Sequence, residues 1–513
     1  MSAAHTDNIF RHRFDRFASL AGAAIAGALF QRGFTPTFEW WFPVLGLLGW
    51  MFLLERSPSR RHSVLLGLLF GLSWFGLGLQ WTVNSMTDHG HLPWLLAEGG
   101  VALLALVLSV SPVLTALVLG PRRERPISQF MLSFAGLFTL TEWIRGAAVF
   151  NFDWLNPAYL MINTWIAGWA PLGGEFGLLL ASLVCAAGVI TLIFGRWPER
   201  AGAALVCVLL YAVSYWSGHT VWSEKTGEVR VEVMQPDLPI VDAFMRVDPA
   251  MRLAELRKGR SFYLAAPEEK PLMALMPEGV VNEPFSRLSG RAETELRSLL
   301  EETGVPTFVN AFRMQKRRYF NTTLVLTSDA ALGVTDKRHL VPFGEFVPEG
   351  ARWFINLLGI PMSDVLPGAP DQPALRLGGH NVGLLICYEN LFADVLRSYW
   401  EHGSGVDFVA LTANLGWFGP DIVPQHMQIT RLRAMEVARA VVVSSNTGLS
   451  SVIGADGRFL QHLAPFGADY AVMTVPVMTG EPTPFVRWGS TPALVIALLL
   501  FLVGFLNFRR VRT

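Results

Sequence analysis

Apolar residues run in long blocks at both ends of the chain and in short blocks through its middle. The long blocks fall at about residues 17–30, 39–54, 63–83, 93–120, 129–147, 175–194, 201–216 and 491–508, most of them near the ~20 residues that cross a bilayer as a helix. The pattern predicts eight spans. The first is the shortest; it is rich in Ala and Gly and follows Arg11, Arg13 and Arg16. A signal peptide reads the same way, but no clear small-x-small cleavage site precedes a mature soluble region. Trp40, Trp41, Trp94 and Trp216 stand at block ends, where an interfacial aromatic belt places them.

From residue 218 to 488 the polarity is ordinary, over a length sufficient for one sizeable core. Short β-rich blocks recur at 229–233, 272–276, 307–312, 323–327, 382–386, 407–411, 440–444 and 470–475, with helix-like stretches such as 291–302, 391–400 and 424–439 between several of them. Nearly all-apolar strands alternating with helices predict a layered α/β sheet covered on its faces. Functional residues in such sheets gather where strands end. The expected organisation is spans one to seven over 1–217, a folded domain over 218–488, and span eight with a tail over 489–513.

Charge sets the expected orientation. Arg11, Arg13 and Arg16 precede span one; Arg56, Arg60 and Arg61 follow span two; Arg122, Arg123 and Arg125 follow span four; Arg196 and Arg200 follow span six; Arg509, Arg510 and Arg512 follow span eight. The intervening short loops hold only Arg32 and Arg145. Basic loops stay cytoplasmic, so both termini are expected inside and the folded domain outside. Composition agrees: 51% of residues are hydrophobic and 16% charged, against about 25% charged in an average soluble domain. Lys+Arg and Asp+Glu balance at 41 each, which leaves no basic footprint for nucleic acid. Three cysteines exclude a disulfide scaffold, and no CxxC or His-rich cluster points to zinc.

Three apolar runs of the middle domain stop at polar or reactive residues: Glu278 after Leu-Met-Pro, Cys387-Tyr388-Glu389 after Leu-Leu-Ile, and Asn414 after Ala-Leu-Thr-Ala. Cys387 is the only cysteine of that domain. A lone thiol facing an oxidising compartment points to use, against the plainer reading of a buried small hydrophobe. In an extended segment Glu389 would share its side of the strand. A nucleophilic thiol needs a base and a positive charge for the oxyanion. His339, His380, His402, His426 and His462 fall in loops or helix starts and read as surface. Glu278 is the better base, although a strand-end Glu is commonly a solvated one. The run 336–348 adds a cation, Lys337, and a second carboxylate, Glu345, where a plain charge run would be a solvated face. Between them and Cys387, the segment 353–362 is dense in large apolar groups flanked by Gly and Pro. It is either core or an apolar arm at the bilayer surface. On the second reading Trp353, Phe354, Leu357 and Leu358 line a lipid entrance together with Trp417 and Phe418.

Glu278, Lys337 and Cys387 in these settings resemble the nitrilase, or carbon–nitrogen hydrolase, superfamily, with its Glu–Lys–Cys triad on an αββα sandwich. Seven spans before and one after the domain, Lys337 to Pro348, Cys387-Tyr388-Glu389 and Asn414-x-x-Trp417-Phe418-Gly419 resemble the membrane-embedded branch, the apolipoprotein N-acyltransferases of the bacterial inner membrane. Trp81, Glu142-Trp143-Ile144-Arg145 and Asn151-Phe152-Asp153-Trp154 resemble that family's membrane part.

The resemblance implies an eight-helix bundle carrying an extracytoplasmic sandwich. It also implies acyl transfer from a phospholipid, through a Cys387 thioester, to the α-amine of a diacylglyceryl apolipoprotein, with membrane lipid as surroundings and no cofactor. Glu345 and Glu389 would orient Lys337, and Tyr388 would shape the pocket. Substrate contacts are expected at Asn414, Trp417, Phe418 and Phe244. The sequence departs from the family's pattern at Leu415-Gly416, where Asp-Ala is usual, at Gln235-Pro236-Asp237-Leu238-Pro239 with Phe244 near a usual Trp, and at Gly279. A membrane-anchored amidase explains the triad but not seven further spans. A transporter with an outer sensor domain would draw on Glu98 in span four, without an evident inverted repeat.

The arginine distribution makes a direct prediction: a reporter-fusion scan places residues 58 and 512 in the cytoplasm and residue 300 outside. A C-terminus found outside would show that the spans are miscounted.

Overall fold

The computed structural model describes residues 3–35, 41–121, 125–148, 151–241, 247–264, 270–350, 352–353 and 364–510. Trp40, Arg122, Arg123, Phe244, Phe354, Leu357, Leu358 and Arg512, named above, lie outside the described residues. The chain divides into two compact units, one of Met1–Val83, Leu92–Thr220 and Trp488–Thr513, the other of Asn84–His91 and Val221–Arg487.

The first unit is helical. Every long apolar block of the sequence lies in helix: α1 (Ala3–Gln31), α2 (Trp41–Glu55), α3 (Arg60–Gly78), α4 (Trp94–Leu119, with a break at Ser109), α5 (Ile127–Trp143), α6 (Ala170–Phe194), α7 (Trp197–His219) and a C-terminal helix, Thr491–Arg510. Among the described residues three helices are long and apolar enough to cross a membrane, counting Trp165–Phe194 as one. A fourth is added if Arg60–Gly78 and Trp81–His89, bent by 51°, form one span, and Trp41–Glu55 and Thr491–Phe505 are shorter apolar helices. Close packing replaces the hydrophobic effect between such helices, so small residues sit at their crossings. An added Cβ on Gly136 of α5 would press into the Ala497 carbonyl oxygen of the C-terminal helix.

Several polar residues of this unit form a buried network around Arg145. Arg145 Nη2 donates to Glu142 Oε2 at 2.7 Å, both side chains fully buried, and Arg145 Nη1 donates to the Phe152 and Trp154 carbonyls at 2.8 and 3.1 Å. Asp153 lies 3.7 Å from the same guanidinium and accepts from Asn156 and from the Tyr159 hydroxyl. The Glu142–Arg145 pair, three residues apart on the chain, is thus the start of a longer chain of contacts. Removing one member of such a pair typically costs about 3–5 kcal/mol, because its partner keeps an uncompensated buried charge.

The second unit is built on two six-stranded mixed sheets. The first has the order β12-β1-β2-β3-β4-β5, from β1 (Glu224–Gln235), β2 (Met273–Leu275), β3 (Thr307–Gln315), β4 (Arg318–Leu326), β5 (Ala331–Asp336) and β12 (Asp469–Thr479). The second has the order β11-β10-β9-β8-β7-β6, from β6 (Leu375–Leu377), β7 (His380–Ile386), β8 (Phe408–Ala413), β9 (Ala440–Ser445), β10 (Ser451–Ile453) and β11 (Phe459–His462). Strands β1, β2 and β3 run parallel, as do β7, β8 and β9.

Alternation on β1 shows how the layers are assigned. Val231 and Val233 join Leu275, Phe308, Leu384, Ile386 and Val442 in one core between the sheets. Met234 joins Ala274, Leu253, Leu256, Leu296 and Leu299 in a second core beneath α8 (Pro249–Tyr263) and α9 (Arg291–Thr303). Glu232, on that outer side, is fully buried and accepts from Arg260 of α8 at 2.6 and 2.8 Å. Helices α10 (Ala393–Glu401) and α11 (Ile422–Val437) pack on the second sheet, the Tyr399 hydroxyl donating to the Leu384 carbonyl at 2.9 Å.

Gly136→Ala is expected to destabilise the protein by about 1–3 kcal/mol through overpacking. Gly202→Ala on α7, where an added Cβ meets nothing within 4 Å, should leave stability unchanged or raise it by up to about 1 kcal/mol. Melting temperatures in detergent check both, and equal values for the two variants would contradict the packing described.

Candidate active site

Strand β7 is apolar up to Ile386, and the chain then turns. Cys387 adopts φ +51°, a left-handed conformation that costs a non-glycine residue about 1–3 kcal/mol when the surroundings impose it. A short 3₁₀ turn, Cys387–Leu391, follows. Glu389 therefore does not share an extended face with Cys387, as its two-residue spacing implied. Instead it folds back, Oε2 accepting from Ile386 N–H at 2.8 Å and Oε1 from Arg338 N–H at 2.6 Å. Asn390 fastens the turn to α11, donating to the His426 carbonyl at 3.2 Å and to Thr430 Oγ1 at 2.9 Å.

Glu278 follows the end of β2, and Lys337 follows β5 at once. Lys337 Nζ, almost wholly buried, lies 3.1 Å from Glu278 Oε1 and 3.1 Å from Glu345 Oε1. The same two oxygens accept from Asn321 Nδ2, at 2.9 Å for Glu278 and 2.6 Å for Glu345. Two donors thus alternate with two carboxylate oxygens around a closed square. The other oxygen of Glu345 accepts from Val341 N–H at 2.8 Å.

Cys387 completes the site. Its sulfur meets the Glu278 carboxyl and the backbone N–H of Asn414, with Lys337 close enough to act on it electrostatically. Burial and then the Glu278 charge push the thiol pKa well up, against Lys337 and the Asn414 N–H. Burial opposes charge on Lys337, but Glu278 and Glu345, with Cys387 and Glu389 behind them, hold its pKa above the ordinary lysine value. Burial likewise raises Glu389, against the Arg338 and Ile386 N–H groups it accepts from. The resting site is therefore a neutral thiol beside a charged lysine.

The other candidates are placed as follows. Asn414 is buried at the end of β8, its Oδ1 accepting from Gly416 N–H and Asn446 Nδ2 at 3.3 Å each. Leu415 is buried beside it. Trp417 is half-buried, its ring 5.0 Å from that of His89, and the Phe418 carbonyl accepts from Asn84 Nδ2 at 3.3 Å. Tyr388 packs edge-on to Phe392 at 5.2 Å. Trp353 is exposed. Among the described residues no group of three His, Cys, Asp or Glu is placed to hold a metal.

Two residues here escaped the sequence reading. His426, read as surface, is buried on α11 beside the Cys387 backbone and the Glu278 carboxylate. Burial pushes its imidazole down to about 4 despite both neighbours, so it stays neutral. Asn321 falls just outside the strand expected at 323–327 and lies within the longer β4. Asparagine is depleted in strands, and its presence on both β3 (Asn310) and β4 (Asn321) was the available signal.

Comparison with known proteins covers both units. The family description "Apolipoprotein N-acyltransferase N-terminal domain" matches residues 26–188, and "Carbon-nitrogen hydrolase" matches residues 274–484. The apolipoprotein N-acyltransferase of Ralstonia nicotianae is 31% identical over 502 residues, covering 95% of this chain and 93% of its own. That of Bordetella bronchiseptica is 32% identical over 505 residues, with 89% and 90% covered. That of Nitrosomonas europaea is 29% identical over 495 residues, with 94% and 96% covered.

A neutral resting thiol has a measurable consequence. At about pH 7.5 Cys387 should react with iodoacetamide about tenfold or more slowly than free cysteine, and its rate should still climb beyond about pH 10. Peptide mapping of the alkylated protein reads this, and a rate above that of free cysteine would contradict the electrostatics described.

Proposed function

From the premise that the chain belongs to the apolipoprotein N-acyltransferase family, we propose that it transfers an acyl chain from a phospholipid to the α-amine of a diacylglyceryl apolipoprotein through a thioester on Cys387. The observation that carries the mechanism is the Cys387 thiol beside the Glu278 carboxyl, which is itself paired with a buried lysine.

In the first stage the thiol proton passes to Glu278 as sulfur attacks the sn-1 ester carbonyl. The transfer removes the carboxylate charge that opposes the thiolate and leaves the Lys337 ammonium to favour it. Lys337 also holds the oxyanion of the tetrahedral intermediate. Collapse breaks the ester C–O bond, and the lysophospholipid leaves with the proton held by Glu278. In the second stage the α-amine attacks the thioester, giving up a proton to Glu278, and the Cys387 thiolate leaves and is reprotonated. A thioester is activated enough to acylate an amine without a nucleotide. Glu345 and Glu389 support the charged lysine, while Tyr388 and Asn414 shape the wall and floor around the sulfur.

Both substrates carry acyl chains, which accounts for the helical unit. We assign it eight spans of the bacterial inner membrane, with both termini cytoplasmic and the second unit on the periplasmic side, on the arginine distribution. Trp353, Trp417 and Phe418 line the lipid entrance in this reading. A membrane-anchored amidase is disfavoured by the similarity across the helical unit, residues 26–188.

Incubation of the full-length protein in detergent with phospholipid alone should add one acyl mass, located on Cys387, with release of lysophospholipid. Cys387→Ala should abolish adduct and product, and Cys387→Ser should leave at most about a thousandth of the rate, an alkoxide being far harder to form than a thiolate. Glu278→Gln and Lys337→Ala should each slow adduct formation by about 10²–10⁴-fold in folded protein. Adduct at the wild-type rate in any of these variants would sink the assignment.

A further inference from the structure

We propose that Asn321 is a positioning residue for the reaction: its side-chain amide completes the donor square that holds Glu278 in register for the Cys387 proton. The inference rests on the reading of Glu278 as the proton acceptor.

Its geometry leaves the amide one orientation. Asn310 Nδ2 donates to Asn321 Oδ1 at 2.8 Å, so the Asn321 NH₂ must face the carboxylates; reversed, its oxygen would confront two more acceptors. Asn310 is itself held, its Oδ1 accepting from Gly279 N–H at 3.1 Å and its Nδ2 donating also to the Thr322 carbonyl at 3.2 Å. The register makes this possible. Asn310 pairs with Thr323 and Phe312 with Asn321, so the two asparagines are diagonal neighbours across β3 and β4. The contacts close a ring from Gly279 through Asn310 and Asn321 to Glu278 and back along one peptide bond. Both ends of the Glu278 residue are thereby tied to β3 and β4.

Charge accounting shows why the amide is needed. Glu278 faces Lys337, Glu345, Cys387 and the neutral His426. One ammonium faces two carboxylates, and Asn321 supplies a further N–H to each. Glu278 Oε1 accepts from both Lys337 and Asn321, which leaves its second oxygen for the thiol. Removing the amide leaves that oxygen on the lysine alone, and the carboxylate is then free to turn away from the sulfur.

The test follows acyl-enzyme formation from phospholipid by intact mass on the full-length protein in detergent. Asn321→Ala should slow adduct formation about tenfold in the wild-type background and by less than about twofold when added to Glu278→Gln, where no proton acceptor is left to position. Asn321→Ser, which keeps one donor, should fall between wild type and Asn321→Ala, and Asn310→Ala should slow the reaction by less. These two variants carry the test if Asn321→Ala does not fold. A wild-type rate in Asn321→Ala, or an equal loss in both backgrounds, overturns the proposal, because a merely structural role slows the reaction whether or not Glu278 can accept a proton. Adduct formed by Glu278→Gln at the wild-type rate overturns the reading of Glu278 itself and this proposal with it. The phospholipid adduct on wild type tests acyl transfer separately.

Discussion

One buried ammonium organises the catalytic unit. Lys337 has almost no access to water, and a charge in that position persists only if it is paired and hydrogen-bonded. The pairing takes two carboxylates, Glu278 and Glu345, and a second donor, Asn321, to share them. Once that group is assembled, the rest of the chemistry is constrained. The thiol beside it is held neutral by burial and by the Glu278 charge.

The sandwich supplies these groups from strand ends in both sheets. Glu278 and Lys337 follow β2 and β5 in one sheet, and Cys387 and Asn414 follow β7 and β8 in the other. A shared apolar core clamps the two sheets face to face, so the distances across the site are set by packing that tolerates little volume change. The left-handed backbone at Cys387 is sustained by the same surroundings. Glu389 takes the Ile386 N–H, and Asn390 ties the turn to α11. Glu389 also accepts from the backbone of Arg338, next to Lys337. It thus couples the turn at Cys387 to the lysine's strand end.

The helical unit solves a different problem with related means. Its helices approach closely where glycines face backbone, as Gly136 does at Ala497, and Glu142 and Asp153 are gathered into a buried cluster around Arg145. That cluster joins α5 to the chain around Asp153, Asn156 and Tyr159. A structural ion pair and a longer polar network differ in consequence, because in the network several segments lose their partners together when one member is removed.

How much of this was legible in the chain follows from the range of each interaction. Hydrophobic periodicity is local, so the apolar helices, the strand-rich middle and the strand ends at Glu278, Cys387 and Asn414 could be read directly. Cys387 stands out as a lone thiol and Lys337 as a cation in the charge run that opens 336–348. What lay beyond that reading depends on register and burial. The turn at Cys387 carries no local mark, since a cysteine at φ +51° is imposed from outside. His426 looked like a surface histidine because only the packing of α11 on the second sheet buries it. Asn321, just before the strand expected at 323–327, carries no local mark because its partners, Glu278, Glu345 and Asn310, lie 43, 24 and 11 residues away. The sequence by itself determined which elements form and which reactive side chains stand at their ends. The tertiary structure alone decided which of them share a charge, because an ion pair in a dry interior depends on distances of a few ångströms that only the packing of two sheets can set.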